Sequence, residues 1–466
     1  MQIGETAVGE ISEIVELVLH RLREVDDHPS CPVIMPGAGG DGVFPSVNES
    51  VDAAREAQQE LMRLTREGRG KIIEAIRRTA LQNALSLAEE TVSETGMGRV
   101  AHKELKNRLA ALKTPGLEDL ETYATSGDHG LTVVERSPLG IIGAITPITN
   151  PNATIINNAI SMIAAGNAVV FSPHPGARNT SLKTIRLINQ AIVCAGGPGN
   201  LVSSPFEPSL DQARVLISHP EVRALVATGG PGVVKAVMTS GKKAIGAGAG
   251  NPPVVVDETA DLEKAGRDIV AGSSFDNNLP CIAEKEVFVV DQAADQLLGS
   301  MKRAGAYLLR EPDNLVDLLS KKSFLGRDAG VILAELGIIP AGDVPLIVVE
   351  VPADHPFVLK ELMAPILPVV RVRDINQAID MAVWAEQGNR HTAVIHSKNV
   401  DRMTRFARAI QTTVFVKNGP SYAGLGYTGE GHTTFTIAGP TGEGLTSART
   451  FTRQRRCVLV DAFSIV

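Results

Sequence analysis

The feature that most constrains this chain is a regular alternation of element types between residues 139 and 250. GIIGAIT (140–146), AVVFS (168–172), LVSS (201–204) and RALVAT (223–228) are short strand-like runs. The segments between and after them, 152–165, 179–195, 209–218 and 231–239, have helical patterns. Strand and helix alternating at this spacing predict a doubly wound parallel sheet. KKAIGAGAG (242–250) closes the run, and PVVVD opens a second α/β series. That series reads as helix 261–275, strand EVFVV, helix 292–309, and strands PLIVVEV and PVVRV. Single cores seldom grow past about 250–300 residues. The 466 residues therefore divide most simply into two α/β domains meeting near residue 250.

Composition excludes several function classes. Aromatic residues make up only 4%, so the core must rest on Val, Ile, Leu and Ala. A net charge of −7 argues against nonspecific nucleic-acid binding, which needs a basic surface to displace counterions. No apolar stretch reaches membrane length, and Glu5, Glu10, Glu13 and Glu16 give the N-terminus the wrong charge for a signal or transit peptide. The cysteines, Cys31, Cys194, Cys281 and Cys457, show neither metal-ligand spacing nor a disulfide framework, so reduced thiols in a cytoplasmic protein are expected and no metal is implied.

Ahead of the body, Ile11, Ile14, Val15, Val18, Leu22 and Val25 form one helical stripe over residues 1–25. Residues 26–45, rich in Pro and Gly, read as a flexible linker. A tethered amphipathic helix is either a docking peptide or a terminal extension. The body opens with a capping box at Ser46 and Glu49, a long helix, and two more helices ending near Gly96 and Gly98.

The GAGGDG run (37–42) matches a dinucleotide fingerprint, but it lies in the linker and not between a strand and a helix, so it is set aside. Better candidates are the turns TPITNP, SPHPGA and TGGPG, which follow three of the parallel strands. Ligands of open α/β sheets bind outside the carboxyl ends of the strands. The bland alternative is three ordinary βα turns. Cys281, in FDNNLPC, is a loop thiol and so a candidate nucleophile, or else a small buried apolar side chain.

From about residue 46 onward the chain resembles the aldehyde dehydrogenase superfamily. SPLGIIGAITPITNPNATIINNAISMIAAGNAVVFSPHP, TGGPGVV, GAGAGNPPVVVDETAD, NNLPC and ELMAPILPVV carry the likeness. The N-terminal stripe with FVKNGPSYAG and PTGEGLTSARTF narrows it to the CoA-acylating enzymes of bacterial microcompartments, of the propanediol- and ethanolamine-utilisation types. The resemblance implies an α/β fold of two Rossmann-like domains plus a small β oligomerisation element. It places the cofactor domain at 46–119 and 139–250, the catalytic domain at 251–439, and the oligomerisation element at 120–138 and 440–466. A homo-oligomer, dimer or tetramer, is expected. The four arginines Arg449, Arg453, Arg455 and Arg456 then sit on a solvated strand of that element.

The departures from the family's hydrolytic branch imply chemistry. That branch carries a water-activating Glu where this chain has Ala247, and a ribose-binding Lys and neighbouring Glu where it has Ser172 and Pro175. Without a base, water attack on a thioester is slow and a thiol can take the acyl group. The resemblance assigns Cys281 as nucleophile and Thr149 or Asn150 as an oxyanion donor. Thr146, Pro147, Ser172, Pro173, Gly229, Gly230 and Glu361 fall at cofactor-contacting positions, with His174 on the phosphate side. His391 would orient or deprotonate the CoA thiol, or is a satisfied core histidine. The implied reaction takes a short-chain aldehyde, propanal ahead of acetaldehyde, with NAD and coenzyme A. A hydrolytic dehydrogenase, a Cys-dependent acyltransferase and an inactive cargo protein are the rivals. The stripe in 1–25 would dock on a microcompartment shell protein.

Overall fold

The computed structural model describes residues 41–310, 315–316 and 324–465. The stripe in 1–25 and most of the expected linker lie outside them.

Six parallel strands form the first sheet: β1 (Val43–Phe44), β4 (Ile141–Ile145), β5 (Ala168–Ser172), β6 (Val202–Pro205), β7 (Val222–Thr228) and β8 (Lys243–Ala247), in the order β1-β6-β5-β4-β7-β8. Every residue of β4 and β5 is buried, as continuous apolar runs covered on both faces require. The chain builds from β4 out to β6, then returns across β4 to β7. The crevice between the carboxyl ends of β4 and β7 is therefore a topological switch point. Helices α1 (Val47–Leu61), α2 (Arg66–Gln82), α3 (Ala84–Thr95) and α4 (Val100–Lys113) precede β4; α5 (Pro151–Ala164), α6 (Arg178–Cys194), α7 (Leu210–Ser218) and α8 (Pro231–Met238) fill the crossovers. The expected cap at α1 forms, with Glu49 N donating to Ser46 Oγ at 3.3 Å.

Three readings need correction. The linker does not run to residue 45, because Val43 and Phe44 pair with Ser204 and Pro205 at the sheet edge. Gly42, the last glycine of GAGGDG, sits at φ +83°, where a β-carbon would stand 2.4 Å from the Val202 carbonyl oxygen; it is a tight entry into that edge. Helix α4 went unread. The expected helix 292–309 ends as α10 (Asp291–Arg303), stopped by Gly305 at φ +100°, and Tyr307–Leu309 become an edge strand. Among the described cysteines Cys281 and Cys457 are free thiols.

The second sheet is parallel throughout: β9 (Pro253–Val256), β10 (Glu286–Val290), β11 (Tyr307–Leu309), β12 (Ile347–Glu350), β13 (Ile366–Val372), β14 (Thr392–His396) and β15 (Val414–Lys417), ordered β11-β12-β13-β10-β9-β14-β15. Helix α9 (Leu262–Ser274) leads from β9 to the Cys281 loop. A short antiparallel pair, β16 (Ile437–Ala438) and β17 (Gly444–Leu445), follows, and β2 (Tyr123–Gly127), β3 (Gly130–Pro138) and β18 (Thr452–Val460) make a separate antiparallel arm. Arg453, Arg455 and Arg456 lie on exposed β18, and Arg449 ahead of it bonds Asp119 through Nε at 2.7 Å.

Candidate active site

The three βα turns of the first sheet face the Cys281 loop across one cavity of about 420 Å³. Thr146, Pro147, Thr149 and Asn150 line it from the end of β4, Ser172, Pro173 and His174 from β5, and Gly229 and Gly230 from β7. Cys281 and Glu361 line it from the second domain. These eleven positions, dispersed over more than two hundred residues of sequence, meet because the switch point of the first sheet opens toward that loop.

The Cys281 loop owes its shape to FDNN. Asp276, Asn277 and Asn278 are left-handed in succession, with φ of 49°, 55° and 62°. Asn and Asp tolerate that region better than other non-glycine residues, and here each side chain is buried and bonded. Asp276 Oδ1 accepts from Arg99 N at 2.9 Å. Asn277 Nδ2 donates to the Gly326 carbonyl at 2.8 Å, and Asn278 Nδ2 to the Ser273 and Glu284 carbonyls at 2.7 and 2.9 Å. Behind the loop Lys285 Nζ donates to the Asn278 carbonyl and Oδ1, both at 2.8 Å, and pairs with Glu361 at 3.6 Å. Burial first, then the Glu361 carboxylate, push the Cys281 thiol up to about 12, against the pull of Lys285 and Lys106.

Opposite Cys281, Asn150 Oδ1 accepts a hydrogen bond from Lys106 Nζ, and Asn150 Nδ2 lies 3.3 Å from Thr149 Oγ1. Lys103 Nζ donates to the Thr149 carbonyl at 3.0 Å. Both ammoniums also bond Asp276 Oδ2. Burial draws Lys106 down to about 8 while Asp276 pulls the other way. For Asp276 burial raises the carboxyl, but the two ammoniums outweigh it and hold the pKa below the usual range. Lys103, Lys106, Asp276 and Lys285 escaped the sequence reading. The recoverable signal was the spacing of Lys103, Lys106 and Asn107 with Ala110 and Ala111, one buried face of α4.

The end lined by the three βα turns has features that suit a dinucleotide. Thr146 Oγ1 is buried without a partner. A β-carbon at Gly229 or Gly230 would meet nothing within 4 Å, so both backbones border open space. Gly230 caps α8; Pro231 carries no N–H and the Val233 and Val234 amides bond the Gly230 carbonyl at 3.1 and 3.3 Å, which leaves the Gly232 N–H of the first turn to face an anionic group. His174 is spent locally: exposed, its Nδ1 accepts from Gly176 N at 3.0 Å.

The other end is apolar. Leu105, Leu109, Phe275, Ile282, Tyr422 and Tyr427 line it, with ring centres 5.4 Å apart for Phe275–Tyr422 and 4.9 Å for Tyr422–Tyr427. Ala247 also faces the cavity, whose sole lining carboxylate among the described residues is Glu361.

His391 is not among the lining residues. It is buried behind Gly250, with Nδ1 2.9 Å from Thr392 Oγ1 and Nε2 unpartnered. Burial, then Lys285, lower its pKa to about 4, so it is neutral at pH 7.

A thiol set against the switch-point crevice of a doubly wound sheet is the site of an aldehyde dehydrogenase, and the chain belongs to the aldehyde dehydrogenase family, whose model matches residues 44–312 and 344–439. Within the family it is 48% identical to a propanal dehydrogenase (CoA-propanoylating) of Salmonella typhimurium over 97% of this chain and 99% of that one. It is also 48% identical to the acetaldehyde dehydrogenase (acetylating) EutE of the same organism, over 98% and 99%. Among solved structures, the propionaldehyde dehydrogenase of Rhodopseudomonas palustris, with bound CoA and an acylated cysteine, superposes with a TM-score of 0.90 at 53% identity, over 91% of this chain and all of that one. A propionaldehyde dehydrogenase from the fucose-utilisation microcompartment of Clostridium phytofermentans gives 0.90 at 51%, over 91% and 100%.

Proposed function

We propose that this chain oxidises a short aldehyde to its CoA thioester: aldehyde, NAD⁺ and CoA-SH give acyl-S-CoA, NADH and a proton, with propanal the preferred aldehyde. The observation that carries this is the lining of one cavity, which joins a thiol and dinucleotide-binding turns while holding no carboxylate at Ala247. Cys281 Sγ bonds the carbonyl carbon as the C=O π pair moves to oxygen and the thiol proton is released, the one proton of the overall equation, and the oxyanion receives hydrogen bonds from the Cys281 backbone N–H and Asn150 Nδ2. Such donors are worth about 2.7–4 kcal/mol each. Of the two sequence candidates Asn150 is assigned this role and Thr149 supports it, because Lys106 occupies the acceptor end of the Asn150 amide. NAD, when bound, would supply the hydride acceptor: the carbonyl carbon of the Cys281 adduct would give up its hydride and remain on Cys281 as an acyl thioester. Thr146, Pro147, Ser172, Pro173, Gly229 and Gly230 would hold NAD, with Glu361 on its nicotinamide side. The Phe275, Tyr422 and Tyr427 wall suits a short apolar chain. With Ala247, and no carboxylate, at the position from which water would be activated, the CoA thiol takes the acyl group. We assign His391, neutral and with an open Nε2 behind the Cys281 loop, to that transfer step.

The test mixes the protein with propanal, NAD and CoA, omitting one at a time, and follows NADH absorbance. Multiple turnovers only with all three are expected. Full rate without CoA would mean a hydrolytic enzyme, and no absorbance change an acyltransferase or an inactive protein.

The microcompartment context of the Clostridium relative supports a further reading: residues 1–25 dock the enzyme on a shell protein, and the exposed antiparallel arm joins subunits into a dimer or tetramer. Deleting 1–25 is expected to leave specific activity within about twofold, as for an independent tethered element, while releasing the enzyme from its compartment. Continued co-purification with shells would refute the docking.

A further inference from the structure

Cys281 and the Asn150 amide must act on one carbonyl group, yet they stand on loops from different domains. One buried cluster ties those loops. Lys106 Nζ bonds both Asn150 Oδ1 and Asp276 Oδ2, and Lys103 Nζ bonds both the Thr149 carbonyl and Asp276 Oδ2 at 3.0 Å. Of the two lysines only Lys106 lines the cavity. A side-chain amide has an acceptor end and a donor end. With Oδ1 committed to Lys106, the end left for the cavity is the donor; if the amide flipped, its oxygen would face the oxyanion and repel it.

We propose that Lys106 is a positioning residue for the acylation chemistry, acting through Asn150: its ammonium fixes the orientation of that amide and holds the Asn150 loop in register with the Cys281 loop. The proposal rests on the CoA-acylating reading above. Lys106→Met removes the ammonium but keeps an unbranched side chain of similar reach. Asp276 then still pairs with Lys103 at 3.0 Å, so no buried carboxylate is stranded.

The test is a double-variant cycle on the full chain, read by single-turnover NADH formation at saturating propanal and NAD. Lys106→Met and Asn150→Ala are each expected to slow the chemical step by about 10²–10³-fold, the cost of losing one oxyanion donor. The combined variant is expected to be no slower than Asn150→Ala alone, because both changes remove the same interaction. NAD affinity should stay within about threefold of wild type, since those contacts lie at the other turns. Lys106→Arg, which keeps a donor, should recover part of the rate. A Lys106→Met rate within twofold of wild type, or a combined loss equal to the product of the single losses, would overturn the proposal. Should Lys106→Met not fold, Lys106→Gln, whose amide can donate to Asn150 Oδ1, enters the same cycle with the same expectation of no added loss in the Asn150→Ala background. If wild type itself forms no NADH, the assigned reaction has failed and not the role of Lys106.

Discussion

Gly250 packs directly against the backbone of Cys281: a β-carbon at Gly250 would stand 2.5 Å from the Cys281 carbonyl oxygen and 3.0 Å from His391 Cγ. Neither neighbour is a flexible side-chain end, so any larger residue must displace the Cys281 backbone or the imidazole beside it. Gly250→Ala is therefore expected to fold yet lose turnover by about 10²-fold, the cost of a misplacement of roughly 1 Å. Circular dichroism and steady-state rates check this; an alanine variant with wild-type turnover would show the contact to be soft.

Glu361 raises the Cys281 thiol, second only to burial. A neighbouring negative charge disfavours the thiolate, so removing it lowers the thiol pKa. Glu361→Gln also frees Lys285 from its ion pair, which acts in the same direction. Alkylation of Cys281 by iodoacetamide in the free enzyme is expected to be faster in Glu361→Gln at any fixed pH below the thiol pKa. Its pH profile should shift to lower pH. An unchanged or upward-shifted profile would remove Glu361 from the electrostatics of the nucleophile.

Ala247 faces the cavity from the end of β8. Ala247→Glu restores a carboxylate where the hydrolytic relatives carry one, and is expected to raise CoA-independent NADH formation with release of free acid. No gain in acid would mean that the preference for CoA has another cause.

The role proposed for His391 separates the two half-reactions. His391→Ala should keep the first-turnover burst of NADH, which needs Cys281 and Asn150, while the CoA-dependent steady-state rate falls by about 10²-fold or more, the span of a general base. Loss of the burst together with turnover would place His391 before acyl transfer.

What could be read from sequence follows from where burial and chemistry coincide. IIGAI and AVVFS announce a parallel sheet because strands covered on both faces must be apolar throughout, and the turns after them announce a ligand because polar tips end such strands. Helix α4 went unread for the opposite reason. Three of the five residues on its buried face, Lys103, Lys106 and Asn107, are polar, so neither the helix nor the lysines at the site stand out as an apolar stripe. FDNN looked like an ordinary loop; its three left-handed residues depend on partners, Arg99, Lys285 and the Gly326 carbonyl, that only the tertiary fold supplies. His391 remained ambiguous because burial behind a glycine leaves no trace in a local pattern.

The most direct measurement is mass analysis of the Cys281-containing peptide after mixing the enzyme with propanal and NAD and withholding CoA. One propanoyl group per active site, on Cys281 and matched by one NADH, is the expected result, with quantitative transfer to propanoyl-CoA once CoA is added. An unmodified Cys281 after NADH has formed, or an adduct that water discharges as fast as CoA does, would contradict the thioester route.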